Sequence, residues 1–458
     1  MEQHTGNSGP PPGCPAHENL KLYGPAFGAN PDSHYNYLRA MGPIATVDIA
    51  DGVEVRLVTA YTTALEVLKN SNLFIRDSRT WRALQEGRVD PNSPALPMMA
   101  WRPNALFADG AAHARLRPAV TDSLKLVDEQ LLGRQAEQVA DYLISQFSSP
   151  LKQVDLVQEY TSPLPLLVFG SLFGCPPELG DRIIAGITGI FTGVPDADVM
   201  LGTALFELVA LKRRQPGDDV TSRLLAHQAG LTDEEACNQL VTMLSGGTAP
   251  LTAAISTGIA LMLGDEKYAT GNYSARDAVQ EVLWNYAPLA NYAAHYPVAD
   301  VKVGNQVLYA HDPVLISFAG ANTDPSARNE VNSESHLAFG AGPHACPAKD
   351  PAWVIAVKAI ETLMKRLPDL ELRCDFHALT WNQDPWTRSL VSLPVRYTTP
   401  APIPRRSPAA APMAAAEPAA PAAAPEPLHA TASSAGSPQA PRRKKGMFSR
   451  LVDWINGQ

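Results

Sequence analysis

Between residues 20 and 399 the apolar positions recur mainly at three- and four-residue spacing. The clearest runs cover 122–147, 181–191, 233–263, 275–286 and 350–367. That period predicts amphipathic helices. Strand-like alternation is confined to short runs at 44–47, 53–59, 301–303 and 314–318, so the expected fold is mainly α with a small β region at one edge. No internal repeat is visible. The most apolar stretches, 163–173 and 251–263, are shorter than the roughly 18 residues that cross a bilayer, so no membrane span is expected.

The pattern stops near residue 400. From 400 to 441, 27 of 42 residues are Ala or Pro. Such a segment cannot build a core and reads as a linker, with a reach of roughly 35 Å. Beyond it, at 442–458, Met447, Phe448, Leu451, Val452 and Ile455 form a helical stripe behind Arg442, Arg443, Lys444 and Lys445, with Arg450 among them. A basic amphipathic helix on a tether predicts docking to an anionic membrane or to an acidic protein groove, the alternative being a solubilising tail. The start of the chain has neither a basic n-region nor an apolar h-region, so no targeting segment is expected. The division predicted is a disordered 1–19, one body over 20–399, the linker and the terminal helix.

Charge sharpens this division. The chain of 458 residues carries a net −9; from 401 to 458 seven Lys/Arg face three Asp/Glu, a local +4, which leaves −13 for the rest. An acidic body excludes a whole-surface nucleic-acid binder, because phosphate neutralisation needs a basic face. The five cysteines, at 14, 175, 237, 346 and 374, are sparse and lack CxxC spacing. Neither a disulfide scaffold nor a zinc ribbon is indicated, and a reducing cytoplasm is the expected compartment.

One cysteine has informative neighbours. In HLAFGAGPHACPAKDPAW, residues 336–353, a glycine-rich turn leads to Cys346 and then to a helix. A helix N-terminus favours thiolate through its free N–H groups and dipole. Gly340 and Gly342 would let the backbone fold closely beneath a flat ligand, and His344 offers a cation or donor at its rim. These features suit a metal–thiolate bond to a planar macrocycle. Other readings remain. A dinucleotide fingerprint would need a third glycine where Ala345 stands. Zinc would need a second nearby pair of ligands. An isolated Cys is most often simply buried.

The string resembles the heme-binding signature of the cytochrome P450 family, FxxGxxxCxG, with Phe339, Gly342 and Cys346 matched and Ala348 in place of the last glycine. The resemblance spans essentially 20–399. It implies a cytochrome P450 fold, heme b as cofactor and Cys346 as the proximal thiolate ligand of iron. It also implies a monooxygenase acting on an apolar small molecule with electrons from a ferredoxin and its reductase. In LFADGAAHARLRPAV, His113 and Arg117 match the family's HxxxR pair that holds the heme propionates; a solvated helix face is the alternative. His344 matches the basic residue of the heme loop. The family's further propionate arginine has its nearest counterpart in His295, whose protonation would make heme anchorage pH-sensitive.

Two departures stand out. The ExxR helix reads QEVLWNYAP, so Glu281 is kept while Trp284 replaces arginine. A buried unpaired carboxylate is costly, and the expected new partner is Arg328. In the helix over the heme the run is Ser245, Gly246, Gly247, Thr248, Ala249, Pro250, so the usual acid and threonine positions hold Thr248 and Ala249. Thr248 or Thr252 would then position water, with a kink at Pro250, or the run is only a bend. Together these features resemble an actinobacterial subgroup with ExxW that accompanies small-GTPase signalling modules. They imply a second function: a weakly active or inactive heme-binding sensor or signalling partner.

Overall fold

The computed structural model describes residues 19–269, 271–304, 306–327, 334–398 and 445–457. Nearly all of the segment expected to be disordered, the 400–441 linker, most of the polybasic run and Arg328 lie outside them.

The periodic runs become helices that pack around one long member. These include α1 (Tyr61–Lys69), α2 (Gly110–Lys125), α3 (Glu129–Ser145), α4 (Pro163–Leu172), α5 (Pro177–Thr192), α6 (Ala197–Arg214), α7 (Asp233–Gly264), α8 (Ala275–Asn285), α9 (Lys349–Arg366) and α10 (Met447–Ile455). The run expected over 122–147 is two helices, because the Asp128 side chain accepts the Leu131 N–H at 2.9 Å and starts α3 afresh. A capping box formed by Thr232 and Glu235 starts α7. By length and apolarity α7 could cross a membrane, contrary to the shorter run read from sequence, but most of its apolar window is buried inside this fold.

A mixed six-stranded sheet has the order β1-β2-β3-β6-β5-β4, formed by β1 (Leu20–Lys21), β2 (Ile44–Ala50), β3 (Val53–Val58), β4 (Phe74–Ile75), β5 (Asn291–Pro297) and β6 (Val314–Ser317). Strand β5 was not legible as a strand: its last four residues are all buried, so the two-residue alternation never appears. The helices share one apolar core and the sheet with its neighbours another. Ala338 packs against both, so the segment leading to Cys346 runs along the seam between them.

Candidate functional site

The Cys346 segment is closed by its own backbone. Gly340 N–H donates to Leu337 O and Cys346 N–H to Phe339 O, each at 2.7 Å. Gly340 and Gly342 both have positive φ, +69° and +71°. A Cβ on Gly342 would lie 2.3 Å from Leu68 O, so this glycine admits the end of α1 rather than a ligand, a correction to the expectation. Helix α9 begins at Lys349, and the Ala348 N–H is directed at the Cys346 sulfur. Burial nevertheless raises the thiol's pKa, against the opposing pull of that N–H and of Arg117. The helix start alone therefore does not make a thiolate here, as the sequence had suggested; a bound cation at sulfur would have to complete the deprotonation. Cys346 keeps accessible surface although protein crowds it, which is how a side chain facing an internal recess behaves.

Basic side chains from four segments converge beside this loop. His113 and His344 stack with centroids 4.1 Å apart. Arg117, one turn after His113 on α2, donates to Ala345 O and, at 3.1 Å, to Thr121 Oγ1. His295 lies on β5 beyond a bulge at Ala293, whose φ is +59°. Arg76, which the sequence reading did not single out, follows β4 and is only 3% exposed. Burial, then Arg76, His113, His295 and Arg117, push His344 down to about 2. His295 is likewise held well below the usual range, first by burial and then by Arg76. It stays neutral over the physiological range, so the pH-sensitive anchorage expected of it does not arise in the protein alone. One carboxylate borders the group: Asp109 Oδ1 lies 3.9 Å from His344 Nε2. The buried His113 Nε2 and His344 Nδ1 have no hydrogen-bond partner. A buried group of two guanidiniums and three imidazoles against one carboxylate is a receptor for anionic oxygen.

The altered α8 motif connects to the same loop by other means. Glu281 pairs with Lys267 and accepts from Tyr268 Oη at 2.8 Å. These are its partners among the described residues; the expected partner Arg328 lies outside them. Trp284 stands edge-on to His336, and His336 is 5.8 Å from Phe339 by ring centroids. Fully buried Asn322 bridges the two segments, donating to Leu283 O at 2.9 Å and accepting the Leu337 N–H at 2.7 Å.

No family model matches the chain. Curated relatives do. Cytochrome P450 105C1 of a Streptomyces species is 30% identical over 390 residues, covering 80% of this chain and 95% of its own length. The chain belongs to the cytochrome P450 family. The 2-hydroxy-5-methyl-1-naphthoate 7-hydroxylase of Streptomyces carzinostaticus is 29% identical over 373 residues, covering 75% and 90%. Among solved structures, CYP154C4 of Streptomyces sp. ATCC 11861 superposes with a TM-score of 0.75 at 27% identity, covering 83% of this chain and 98% of that one.

As a P450 the chain is an oxidoreductase of the monooxygenase class with the P450 fold, and its cofactor is heme b. The residues present fit that group: a recessed thiol beside a helix start, and a cationic cluster holding two orphaned imidazole nitrogens.

Helix α7 runs unbroken through Pro250. Thr242, Ser245, Gly246, Ala249 and Pro250 keep accessible surface and share one face. At about 100° per residue, Thr248 points about 160° away from Gly246, whereas half-buried Thr252 stands only about 20° round the helix from Ser245 and borders that face. Their hydroxyls are engaged, Thr248 with Leu244 O at 2.7 Å and Thr252 with Thr161 O at 3.1 Å. Thr248 is therefore turned away from the accessible face, while Thr252, at its edge, ties α7 to the Thr161 carbonyl.

The terminal helix α10 lies on α5, α3 and α4. Phe448 and Leu451 are buried, at 2% and 0% exposure. Phe448 enters a slot where a Cβ on Gly170 or Gly180 would come within 2.6 or 2.3 Å of its ring. Asp181 accepts the N–H groups of Phe448 and Ser449 at 2.7 and 3.2 Å. The P450 body itself thus covers Phe448 and Leu451 of the apolar stripe, while Ile455 at its far end stays 43% exposed.

Proposed function

We propose that this P450 is a heme-thiolate monooxygenase acting on an apolar small molecule, in which Cys346 ligates the iron and His113, Arg117, His295 and His344 surround the propionates. The observation that carries the reading is the recessed Cys346 thiol beside a buried basic cluster whose inward nitrogens lack partners. Bound heme supplies the activation of dioxygen and the transfer of one oxygen atom to the substrate. The chain's own work is to hold the sulfur by the Ala348 N–H, to fix the loop through Arg117 and Asn322, and to receive the carboxylates. Phe339, Gly340 and Gly342 shape the loop backbone under Cys346. Electrons come from a ferredoxin and its reductase, and the heme domain occupies 20–399, with 400–441 tethering the terminal helix.

A second reading is favoured by α7. No carboxylate stands in the Ser245–Pro250 run, and the Thr248 and Thr252 hydroxyls are bonded to carbonyls. This suits a weakly active or inactive heme sensor of the ExxW type attached to a signalling module. In that role, recruitment to an anionic membrane or acidic partner falls to the basic residues around α10 and the exposed Ile455 rather than to the buried Phe448 and Leu451.

The deciding experiment is the reduced carbon-monoxide difference spectrum of the full chain, followed by turnover. A thiolate-type Soret band lost in Cys346→Ser supports the heme assignment, and no bound heme would overturn it. Substrate-dependent NAD(P)H consumption with product then supports the enzyme, whereas heme binding without turnover by reductant or peroxide supports the sensor.

A further inference from the structure

Among the described residues Arg76 is a buried cation that no carboxylate meets at ion-pair distance. Its Nη1 donates to Ala294 O at 2.7 Å and its Nε to Leu106 O at 3.3 Å. Nη2 has no hydrogen-bond partner, and no carboxylate lies within ion-pair distance of the guanidinium among the described residues. Asp109 sits nearby, but its oxygens accept the backbone N–H groups of Arg76, at 3.0 and 2.9 Å, and of Asp77 at 3.1 Å. A protein seldom encloses a guanidinium in this way unless an anion meets it.

Strand register says where that anion belongs. Antiparallel pairing sets Phe74 against Pro297 and Ile75 against Tyr296, so the next step along β4 brings Arg76 level with His295. His295 occupies the place where the family resemblance implies an arginine. The cation has in effect crossed from β5 to the neighbouring edge strand. Independently of Arg76, the buried His113 Nε2 and His344 Nδ1 are unpartnered beside it.

The geometry points to Arg76 as a cofactor-binding residue that meets a heme carboxylate through its free Nη2, in place of the arginine missing from the position of His295. This rests on the heme-thiolate reading above. Helix α2, the 336–346 loop and the β4–β5 edge then hold the carboxylate end from three sides. The Arg76 bonds to Ala294 O and Leu106 O aim the guanidinium rather than satisfy it, since two carbonyls and the more distant Asp109 leave its Nη2 without an anionic partner.

The test compares hemin with hemin dimethyl ester, whose carboxylates are masked, in Soret titrations of the full apo chain. Arg76→Ala should weaken hemin binding at least about tenfold, the scale of one charge-assisted hydrogen bond, while leaving the affinity for the ester within about twofold. Hemin transfer to apomyoglobin should accelerate to match. Adding His295→Arg to Arg76→Ala should restore hemin affinity by returning the cation to β5. Equal loss for hemin and ester would make Arg76 merely structural and overturn the proposal, as would no loss for either. If Arg76→Ala misfolds by circular dichroism, Arg76→Gln carries the same comparison, and misfolding of both also overturns it. Failure of the parent reading is distinct: the unmutated chain would then bind no hemin, or Cys346→Ser would leave its carbon-monoxide band unchanged.

Discussion

Trp284 meets His336 edge-to-face, with ring centroids 5.8 Å apart and planes at 87°. The tryptophan that replaces an arginine on α8 thus reaches the Cys346 loop through an aromatic contact, and His336 passes the contact on to Phe339. Among the described residues, ring packing and amide bridging hold these two segments together.

Removing that contact should be costly. Trp284→Ala is expected to destabilise the chain by about 3–5 kcal/mol, as for other large buried aromatics, measured by denaturant unfolding. Trp284→Arg should not restore an older arrangement, because Glu281 is already taken by Lys267 and Tyr268. We expect it to lose about 3 kcal/mol or more through an unpaired buried charge. A melting temperature equal to the parent's in either variant would contradict this account.

Asn322→Ala strips a donor from Leu283 O and an acceptor from Leu337 N–H. Two buried backbone groups left unsatisfied cost about 1–3 kcal/mol each. Stability should fall accordingly, and heme content on purification should fall with it. Unchanged heme content in a destabilised variant would separate the bridge from cofactor retention.

His336 gives a pH signature. Burial, followed by Lys349, lowers its pKa to about 4 in the folded chain. The unfolded chain binds a proton near pH 6.5, so below that point protons favour unfolding. The stability that depends on a neutral His336 is complete above pH 6.5 and is lost as pH falls toward 4, by about 3 kcal/mol in all. Urea midpoints at pH 8, 6 and 5 should show this slope, and His336→Asn should flatten it. A parent profile flat from pH 8 to 5 would refute it.

Seating of α10 depends on two glycines. In Gly180→Ala the new Cβ would stand 2.3 Å from the Phe448 ring, so the helix must lift. Hydrogen exchange of 447–455 should speed up, with little change in the heme spectrum. Asp181→Ala should act the same way but more weakly, since it removes only the bonds at the N-terminus of α10. Protection equal to the parent's in both variants would show that α10 is held by something else.

Because the Thr248 and Thr252 hydroxyls bond to Leu244 O and Thr161 O, Thr248→Val and Thr252→Val should alter turnover by less than about threefold. That is far below the 10²–10⁴-fold expected of a positioned proton donor. Steady-state product formation with peroxide or reductant checks this, and a hundredfold loss would return these threonines to the chemistry.

The periodicity of apolar residues was enough to predict a mainly helical body with a small edge sheet, and the glycine-rich approach to a helix was enough to single out Cys346. These are local properties: the repeat of one helix turn, the turn-forming glycines and the spacing of His113 and Arg117 are all written within a few residues. Arg76 carried no local signal. Its meaning comes from β4 pairing with β5, whose residues are more than 200 positions away.

Long-range packing likewise decided the neutral state of His295 and the fate of Phe448 and Leu451 on the terminal stripe. In each case the sequence named the chemical group, while the neighbours that desolvate it, pair it or cover it come from distant parts of the chain. A pKa depends on the dielectric and charges within several ångströms, and an amphipathic stripe shows only that something must cover it. The sequence by itself determined the helical framework and the thiol at its centre; the tertiary structure alone decided which cations stand beside that thiol and that the chain encloses Phe448 and Leu451 of its own terminal helix.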